Sequence, residues 1–128
     1  MKKVLLALFI TTSGLYLSCK KDKPDPVPSE ITGYWKLTET MEDIGNGKGK
    51  YIKATGEPKY LILGKAGKVG GNALQEQISS FKVLDSARIE FNNQNGSKPI
   101  VFWYKATAGN LQLNPPCIEG CGFRFVKK

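Results

Sequence analysis

The sequence contains no histidine and has only three cysteines and two methionines in 128 residues. Without imidazole, the chain cannot form a Ser/His/Asp or Cys/His nucleophilic pair or a metal site with histidine ligands. Long apolar runs are also absent, because the run at residues 4–10 is well short of the roughly 20 residues that cross a bilayer. These absences exclude several enzyme classes and argue against a transmembrane helix.

The first 19 residues have the order of an export signal. Lys2 and Lys3 precede the apolar run, and small and apolar residues then lead to Cys19. This order of basic, apolar and small residues is typical of a secretory signal. The sequence LYLSC at residues 15–19 resembles the lipobox of bacterial lipoproteins, in which the signal is cut before a cysteine that then carries fatty acyl chains such as palmitate. The resemblance implies that residues 1–18 are removed and that Cys19 is lipidated.

A lipidated Cys19 implies a membrane address for the whole protein. Several acyl chains, at about 0.8 kcal/mol per buried methylene, anchor a protein stably. We therefore expect an exported protein anchored in the bacterial outer membrane, on its periplasmic or its surface face, with the lipid bilayer as its partner through Cys19. Residues 20–30 contain three prolines and six charged residues, so they cannot bury a core. Residues 19–30 are predicted to be a tether, and residues 31–128 the folded domain.

The remaining charges and glycines indicate neither nucleic-acid binding nor catalysis. Although the formal net charge is +8, the basic residues of the folded domain are scattered, and this is not a nucleic-acid signature. The glycine-rich stretch at residues 45–50 lacks the Gly-Lys-Ser/Thr ending of a phosphate-binding loop. We predict no catalytic residue, no metal and no cofactor, and a protein that is not an enzyme.

The folded domain has the pattern of short strands separated by turns. Trp35 and Leu37 alternate with polar neighbours, as in a half-buried strand, and Asn95-Gly96 is a strong hairpin signal. Residues 43–56 are predicted to be a loop, and residues 73–80 are the one stretch that could form a helical turn. We predict an all-β domain, a single antiparallel up-and-down meander of about eight strands.

Such a meander leaves two exposed edges unless its ends meet. Pairing the strand near residues 33–38 with the strand near residues 123–126 would close the sheet into a small β-barrel and remove both edges. An eight-stranded barrel is just wide enough to be filled by side chains or to hold one small ligand. A sandwich of two sheets is the alternative.

One tripeptide and its surroundings resemble a known family. Gly33-Tyr34-Trp35, at the first strand of a meander, resembles the Gly-x-Trp motif of lipocalins. Together with the lipobox and the C-x-x-x-C that precedes residues 123–125, the chain resembles the lipocalin-like domain family of small bacterial lipoproteins over residues 31–128. The resemblance implies a lipocalin-like barrel in which Arg124 stacks on Trp35 as a structural clamp. The alternative is an Arg124 that faces outward, which inward-facing Phe123 and Phe125 would favour.

The two remaining cysteines are predicted to form a disulfide. Export would place Cys117 and Cys121 in an oxidising compartment, and Cys19 is already used for lipidation. Metal binding needs more ligands than two thiols, and redox catalysts favour Cys-x-x-Cys. The bridge would fix the start of the last strand.

Two functions from different classes fit these features. In the first, the barrel binds a small apolar or amphipathic ligand against inward aromatic residues. The candidates for such a site are Trp35, Phe81, Phe91, Phe102 and Tyr104. In the second, the barrel is packed solid, and its surface, especially the loop at residues 43–56, contacts an envelope protein partner. The family favours the first function, whereas the aromatic bulk predicted for the interior favours the second.

Overall fold

The computed structural model describes residues 27–42, 48–117 and 120–128. In this part of the chain the structure contains nine β-strands and no helix. The strands are β1 (Gly33–Glu42), β2 (Lys50–Lys53), β3 (Tyr60–Leu63), β4 (Val69–Gly71), β5 (Ile78–Val83), β6 (Arg88–Asn93), β7 (Ile100–Ala106), β8 (Asn110–Asn114) and β9 (Phe123–Lys127).

Eight of the strands form one continuous antiparallel sheet in the order β4-β3-β1-β9-β8-β7-β6-β5. The sheet curls into a nearly closed barrel, because a bridge between Lys68 and Ser80 joins its two edges, and the Phe81 N–H donates to the Gly67 carbonyl at 2.8 Å. The all-β class and the small meander barrel are therefore confirmed. A sandwich of two separate sheets is excluded.

The first and last strands pair as predicted. In the register of β1 with β9, Trp35 lies opposite Lys127 and Leu37 opposite Phe125. The register shifts between Leu37 and Glu39, which marks a bulge in β1. A bulge bends a strand and increases its twist, and this curvature helps β1 to join both neighbours in the barrel.

Two local predictions were wrong. Part of the region predicted as a loop at residues 43–56 is β2, in which Tyr51 pairs with Met41 on β1. Residues 43–47 lie outside the described part of the chain. The possible helical turn at residues 73–80 instead ends in β5, where Ile78 is buried in the core. In both places pairing with an adjacent strand, β1 for β2 and β6 for β5, determines the strand.

The barrel has two ends that differ in their connections. The strand registers place at one end, here called the N-terminal end, residues 27–32, 64–68, 84–87, 107–109 and the end of β9. The opposite end, here called the disulfide end, carries residues 72–77, 94–99, 115–117 and 120–122.

The N-terminal end is covered by the chain that leads into β1. Ile31 is buried, and its N–H donates to the Pro28 carbonyl at 3.0 Å. The Trp35 Nε1–H donates to the Ile31 carbonyl at 2.8 Å, and Val27 packs against the core. Packing therefore extends to Val27, four residues before the predicted start of the domain.

The core is the inner face of the barrel together with Ile31. Successive residues of a strand point to opposite faces of the sheet, and here the inward phase carries most of the apolar residues of the main-path strands. The buried apolar residues are Ile31, Trp35, Leu37, Leu61, Leu63, Ile78, Phe81, Ile89, Phe91, Phe102, Tyr104, Leu111, Leu113 and Phe125. Each contributes about 1.5–3 kcal/mol when fully buried.

Candidate functional site

The aromatic residues predicted to bind a ligand lie together in one core cluster inside the barrel. Phe91 and Phe102 pack edge to face with ring centroids 4.8 Å apart, and Phe81 lies 6.5 Å from Phe91. The exposed fraction is 0% for Trp35 and Phe91, 5% for Phe81 and Phe102, and 8% for Tyr104. These side chains are therefore packed against one another and against the aliphatic core.

The burial of these aromatic side chains shows whether the interior of the barrel has room for a ligand. A void that holds a water molecule exposes the atoms of its walls to that water, so a side chain with no exposed surface borders no such void. Trp35, Phe91, Ile89 and Leu113 all have no exposed surface. The centre of the barrel is therefore filled by side chains, with no void large enough for a water molecule beside these four residues.

Tyr104 is the one aromatic candidate with a polar group, and the structure satisfies that group within the protein. The Tyr104 hydroxyl donates to the Asp85 carbonyl at 2.8 Å, and the Tyr104 N–H donates to the Ala87 carbonyl. Burial raises the pKa of the Tyr104 phenol above its ordinary value, with a smaller contribution from the negative charge of Asp85. The hydroxyl thus fastens β7 to the turn between β5 and β6.

That turn, at residues 84–87, is held by Asp85. The Asp85 carboxylate accepts hydrogen bonds from the Ala87 N–H at 2.9 Å and the Arg88 N–H at 2.8 Å, and it pairs with the Arg88 guanidinium at 2.7 Å. These donors favour the charged carboxylate, so the Ala87 N–H and the Arg88 side chain hold the pKa of Asp85 below its ordinary value. Both side chains are already committed to the turn.

The predicted stacking of Arg124 on Trp35 is wrong. Phe125 points into the core, so Arg124, its neighbour in the strand, points outward, where its Cζ atom lies 3.6 Å from the centroid of the Tyr51 ring. The cation near Trp35 is Lys127, which lies opposite it in the register, with Nζ 5.2 Å from the ring centroid. The residue opposite Trp35 therefore lies three positions further along β9 than predicted, and this odd shift places Arg124 on the outer face of the sheet.

Arg124 instead joins a polar network on the outer face of β1, β8 and β9. Its guanidinium pairs with Glu39 at 2.9 Å and donates to Gln112 at 3.4 Å. Gln112 in turn donates to Asn114 at 2.9 Å, and Asn114 donates to the Tyr51 hydroxyl at 3.4 Å. The sequence alone does not predict this network, because outward polar residues in a strand give the same pattern whether they form hydrogen bonds with each other or with water.

The predicted disulfide between Cys117 and Cys121 is confirmed, with a Cα to Cα separation of 6.2 Å. Asn114 donates to the Cys121 carbonyl at 3.0 Å, and the Met41 N–H donates to the Gly122 carbonyl at 2.8 Å. Gly122 is buried, and a Cβ at this position would collide with the Tyr51 hydroxyl. The bridge and the glycine together fix the path of the chain into β9.

The outer wall of the barrel carries an exposed tryptophan. Trp103, with 59% of its surface exposed, is the most exposed of the large apolar side chains in the described residues. In the sheet it lies between Arg88 on β6 and Asn114 on β8, and Lys105 follows two residues later on the same face. This surface, here called the Trp103 face, comprises Trp103, Arg88, Lys105 and Asn114.

Open depressions also lie outside the packed core. One of about 550 Å³ lies between Val27, the turn at residues 65–67 and the end of β5, where the barrel seam ends. Another of about 360 Å³ lies beside β2 and includes Ile52 and Pro58. Both are shallow surface features bordered by lysines, and Phe81 is the one predicted ligand-binding residue that reaches either of them.

The described residues contain no group of three or more Cys, Asp or Glu side chains placed to hold a metal ion. They also include no helix with the length and apolar character needed to span a membrane. Cys19, predicted to be lipidated, lies outside the described residues, as do the predicted signal at residues 1–18 and most of the tether. Comparisons of the chain with family models, with curated proteins and with solved structures find no match.

Proposed function

We propose that the protein is a lipid-anchored envelope lipoprotein whose barrel is a packed scaffold that presents its outer surface to a protein partner. The observation that carries the scaffold role is the filled interior, in which Trp35 and Phe91 have no exposed surface. The proposed anchor is Cys19, and the order of apolar and small residues that leads to it, LYLSC at residues 15–19, supports this assignment.

A small apolar ligand bound inside the barrel would require space that the interior does not contain. Ligand pockets have volumes of about 300 Å³ or more. Opening that volume inside this barrel would displace more than one core side chain, and each loss of a large buried side chain costs about 2–5 kcal/mol. That cost is comparable to the whole stability of an ordinary domain, about 5–15 kcal/mol. The packed interior therefore supports the scaffold role over binding of a ligand inside the barrel.

The Trp103 face is the surface best suited to contact a protein partner. Tryptophan is enriched among the residues that dominate binding at protein interfaces. Trp103 stands on a paired strand, and its neighbour Asn114 is held by hydrogen bonds to Tyr51 and Cys121. A rigid platform loses little conformational entropy when a partner binds.

The Phe102→Trp substitution distinguishes a packed scaffold from a barrel that binds a ligand in its interior. In a packed barrel the larger ring overpacks the core, and we expect the free energy of unfolding to fall by about 1–3 kcal/mol. Titration of the wild-type protein with a fluorescent fatty acid should give no saturable signal. Saturable binding that Phe102→Trp abolishes at unchanged stability would overturn the scaffold role.

Photo-crosslinking in the native envelope tests the partner surface. A photoreactive amino acid at Lys105, on the Trp103 face, should give a discrete crosslinked protein, whereas the same group at Lys98, on the disulfide end, serves as the control. Trp103→Ala should abolish the Lys105 product and leave thermal unfolding unchanged. Equal products at both positions, or a product that Trp103→Ala does not alter, would contradict this surface.

The anchor is tested by detergent phase partition. The wild-type mature protein should enter the detergent phase, and Cys19→Ser should give an uncut or water-soluble product. Recovery of the wild-type protein entirely in the aqueous phase would overturn the anchor while leaving the scaffold role intact.

A further inference from the structure

We infer that the N-terminal end of the barrel docks on an anionic lipid bilayer and thereby holds the disulfide end away from the membrane. The inference rests on the proposed anchor at Cys19. Three independent features of the chain support it: where the chain enters the barrel, which charges lie at that end, and which apolar side chains flank it.

The first feature is the short connection between the anchor and the barrel. Seven residues separate Cys19 from Val27, and Val27 packs at the N-terminal end. At about 3.3–3.6 Å per residue, even a fully extended connection spans less than about 30 Å. The ten residues of β1 alone extend over about 30 Å along the barrel wall. The anchor therefore brings the N-terminal end, rather than the disulfide end, to the bilayer.

The second feature is the charge at this end. Lys65 and Lys68 belong to the turn between β3 and β4, and Lys128 follows β9 with its N–H bonded to the Tyr34 carbonyl. All three side chains are exposed. The Asp85 carboxylate at the same end is neutralised by Arg88, which leaves Glu30 as the opposing charge on the chain segment that covers this end. Exposed lysines therefore outnumber the free carboxylates.

The magnitude of the charge effect is sufficient for docking. Each lysine close to an anionic membrane surface strengthens association by about five-fold. This attraction acts on a barrel that the anchor already holds at the membrane, so weak contacts suffice to select one orientation. The three lysines together would strengthen the contact of this end with an anionic bilayer by about 100-fold.

The third feature is an apolar pair on the wall next to this end. Tyr34 lies opposite Ile62 in the register of β1 with β3, and both side chains are exposed. The Tyr34 ring packs on Tyr60 with centroids 4.9 Å apart, which holds the ring in place. Tyrosine is enriched at membrane–water interfaces, where its ring meets the headgroups and its hydroxyl meets water. A docked N-terminal end would place Tyr34 at that level.

The orientation can be measured on the full protein purified from membranes and reconstituted in vesicles of phosphatidylcholine and phosphatidylglycerol at 7:3. A fluorescent label is attached to Ala108→Cys, in the turn at the N-terminal end, or to Gln94→Cys, at the disulfide end. Lipids with a quencher on the headgroup should quench the label at position 108 at least three-fold more strongly than the label at position 94. Equal quenching, or stronger quenching at position 94, would overturn the docking.

Charge substitutions separate docking from simple tethering. Lys65→Gln with Lys128→Gln should reduce the difference in quenching between positions 108 and 94, and vesicles of phosphatidylcholine alone should reduce it for the wild type. The matched control is Lys50→Gln with Lys98→Gln, at the disulfide end, which should leave the difference unchanged. An equal loss in both pairs of variants, with thermal unfolding unaltered, would contradict a specific charged surface.

Failure of the docking and failure of the anchor give different results. A protein that does not float with the vesicles contradicts the anchor, and the docking inference falls with it. A protein that floats but shows no difference between the two labels contradicts the docking alone.

Discussion

Trp35 joins the wall of the barrel to the segment that covers its N-terminal end. Its ring has no exposed surface, and its Nε1–H bonds to the Ile31 carbonyl at 2.8 Å. Trp35→Ala should lower the free energy of unfolding by about 3–5 kcal/mol, because it leaves a cavity in the core. Urea denaturation measures the loss. Trp103→Ala, a truncation of the same size on the outer face, should change stability by less than about 0.5 kcal/mol.

Tyr104 gives the barrel a sensitivity to alkaline pH. Because burial raises its pKa, the folded state disfavours the phenolate, whereas the unfolded chain ionises near pH 10. The contribution of Tyr104 to the free energy of unfolding is fully present below pH 10. It is lost as the pH rises through the higher pKa that this phenol has in the folded state. Tyr104→Phe should flatten the decline measured by thermal unfolding between pH 9 and 11. It should also cost about 1 kcal/mol at pH 7 through loss of the bond to Asp85.

If thermal stability falls equally steeply with pH in the wild type and in Tyr104→Phe, a group other than Tyr104 causes the loss of stability at alkaline pH. The comparison uses the difference between the two proteins rather than either curve alone, because that difference isolates the contribution of Tyr104.

At the scale of single residues, the sequence predicts burial better than it predicts partners. The apolar phase of each strand identifies Trp35, Phe91 and Phe102 as interior residues, because alternation reports which face a residue occupies. Whether Arg124 or Lys127 meets Trp35 depends on the register of β1 with β9, and strands separated by most of the chain carry no local signal for their register.

At the scale of elements, strands with a strong apolar alternation are predictable and weak ones are not. The segments at β3, β6 and β7 contain apolar or aromatic residues at the inward positions, and the structure forms strands there. β2 has the sequence Lys50-Tyr51-Ile52-Lys53 beside several glycines, which gives too short a pattern to separate from a loop. It forms because the second half of β1 offers a free edge after β3 ends.

The disulfide stabilises the connection between β8 and β9 rather than the barrel as a whole. A loop of only five residues, including both cysteines, limits the gain from reduced chain entropy to about 2 kcal/mol. The double variant Cys117→Ala, Cys121→Ala should therefore stay folded and lose at most that amount in urea denaturation. A variant that fails to fold would show that the bridge has a larger role than its loop length implies.

At the scale of the whole molecule, closure depends on β9. This strand pairs with both β1 and β8 and contributes the buried Phe125. Removal of residues 123–128 should abolish the cooperative thermal transition, because it exposes two strand edges and the core at once. Removal of Lys128 alone is the control, and it should retain the transition. A truncated chain that still unfolds cooperatively would contradict the dependence on closure.

The position of β1 between β3 and β9 also fixes the order of events during synthesis. The ribosome makes β1 before any other strand. One edge of β1 pairs with β9, which is the last strand to be made. Until then the emerging chain keeps one edge of β1 unpaired and the inner face of the barrel open to water. Pairing between the beginning and the end of a chain slows folding, because a long loop must close before the contact forms. The barrel is thus completed only after translation of its final strand.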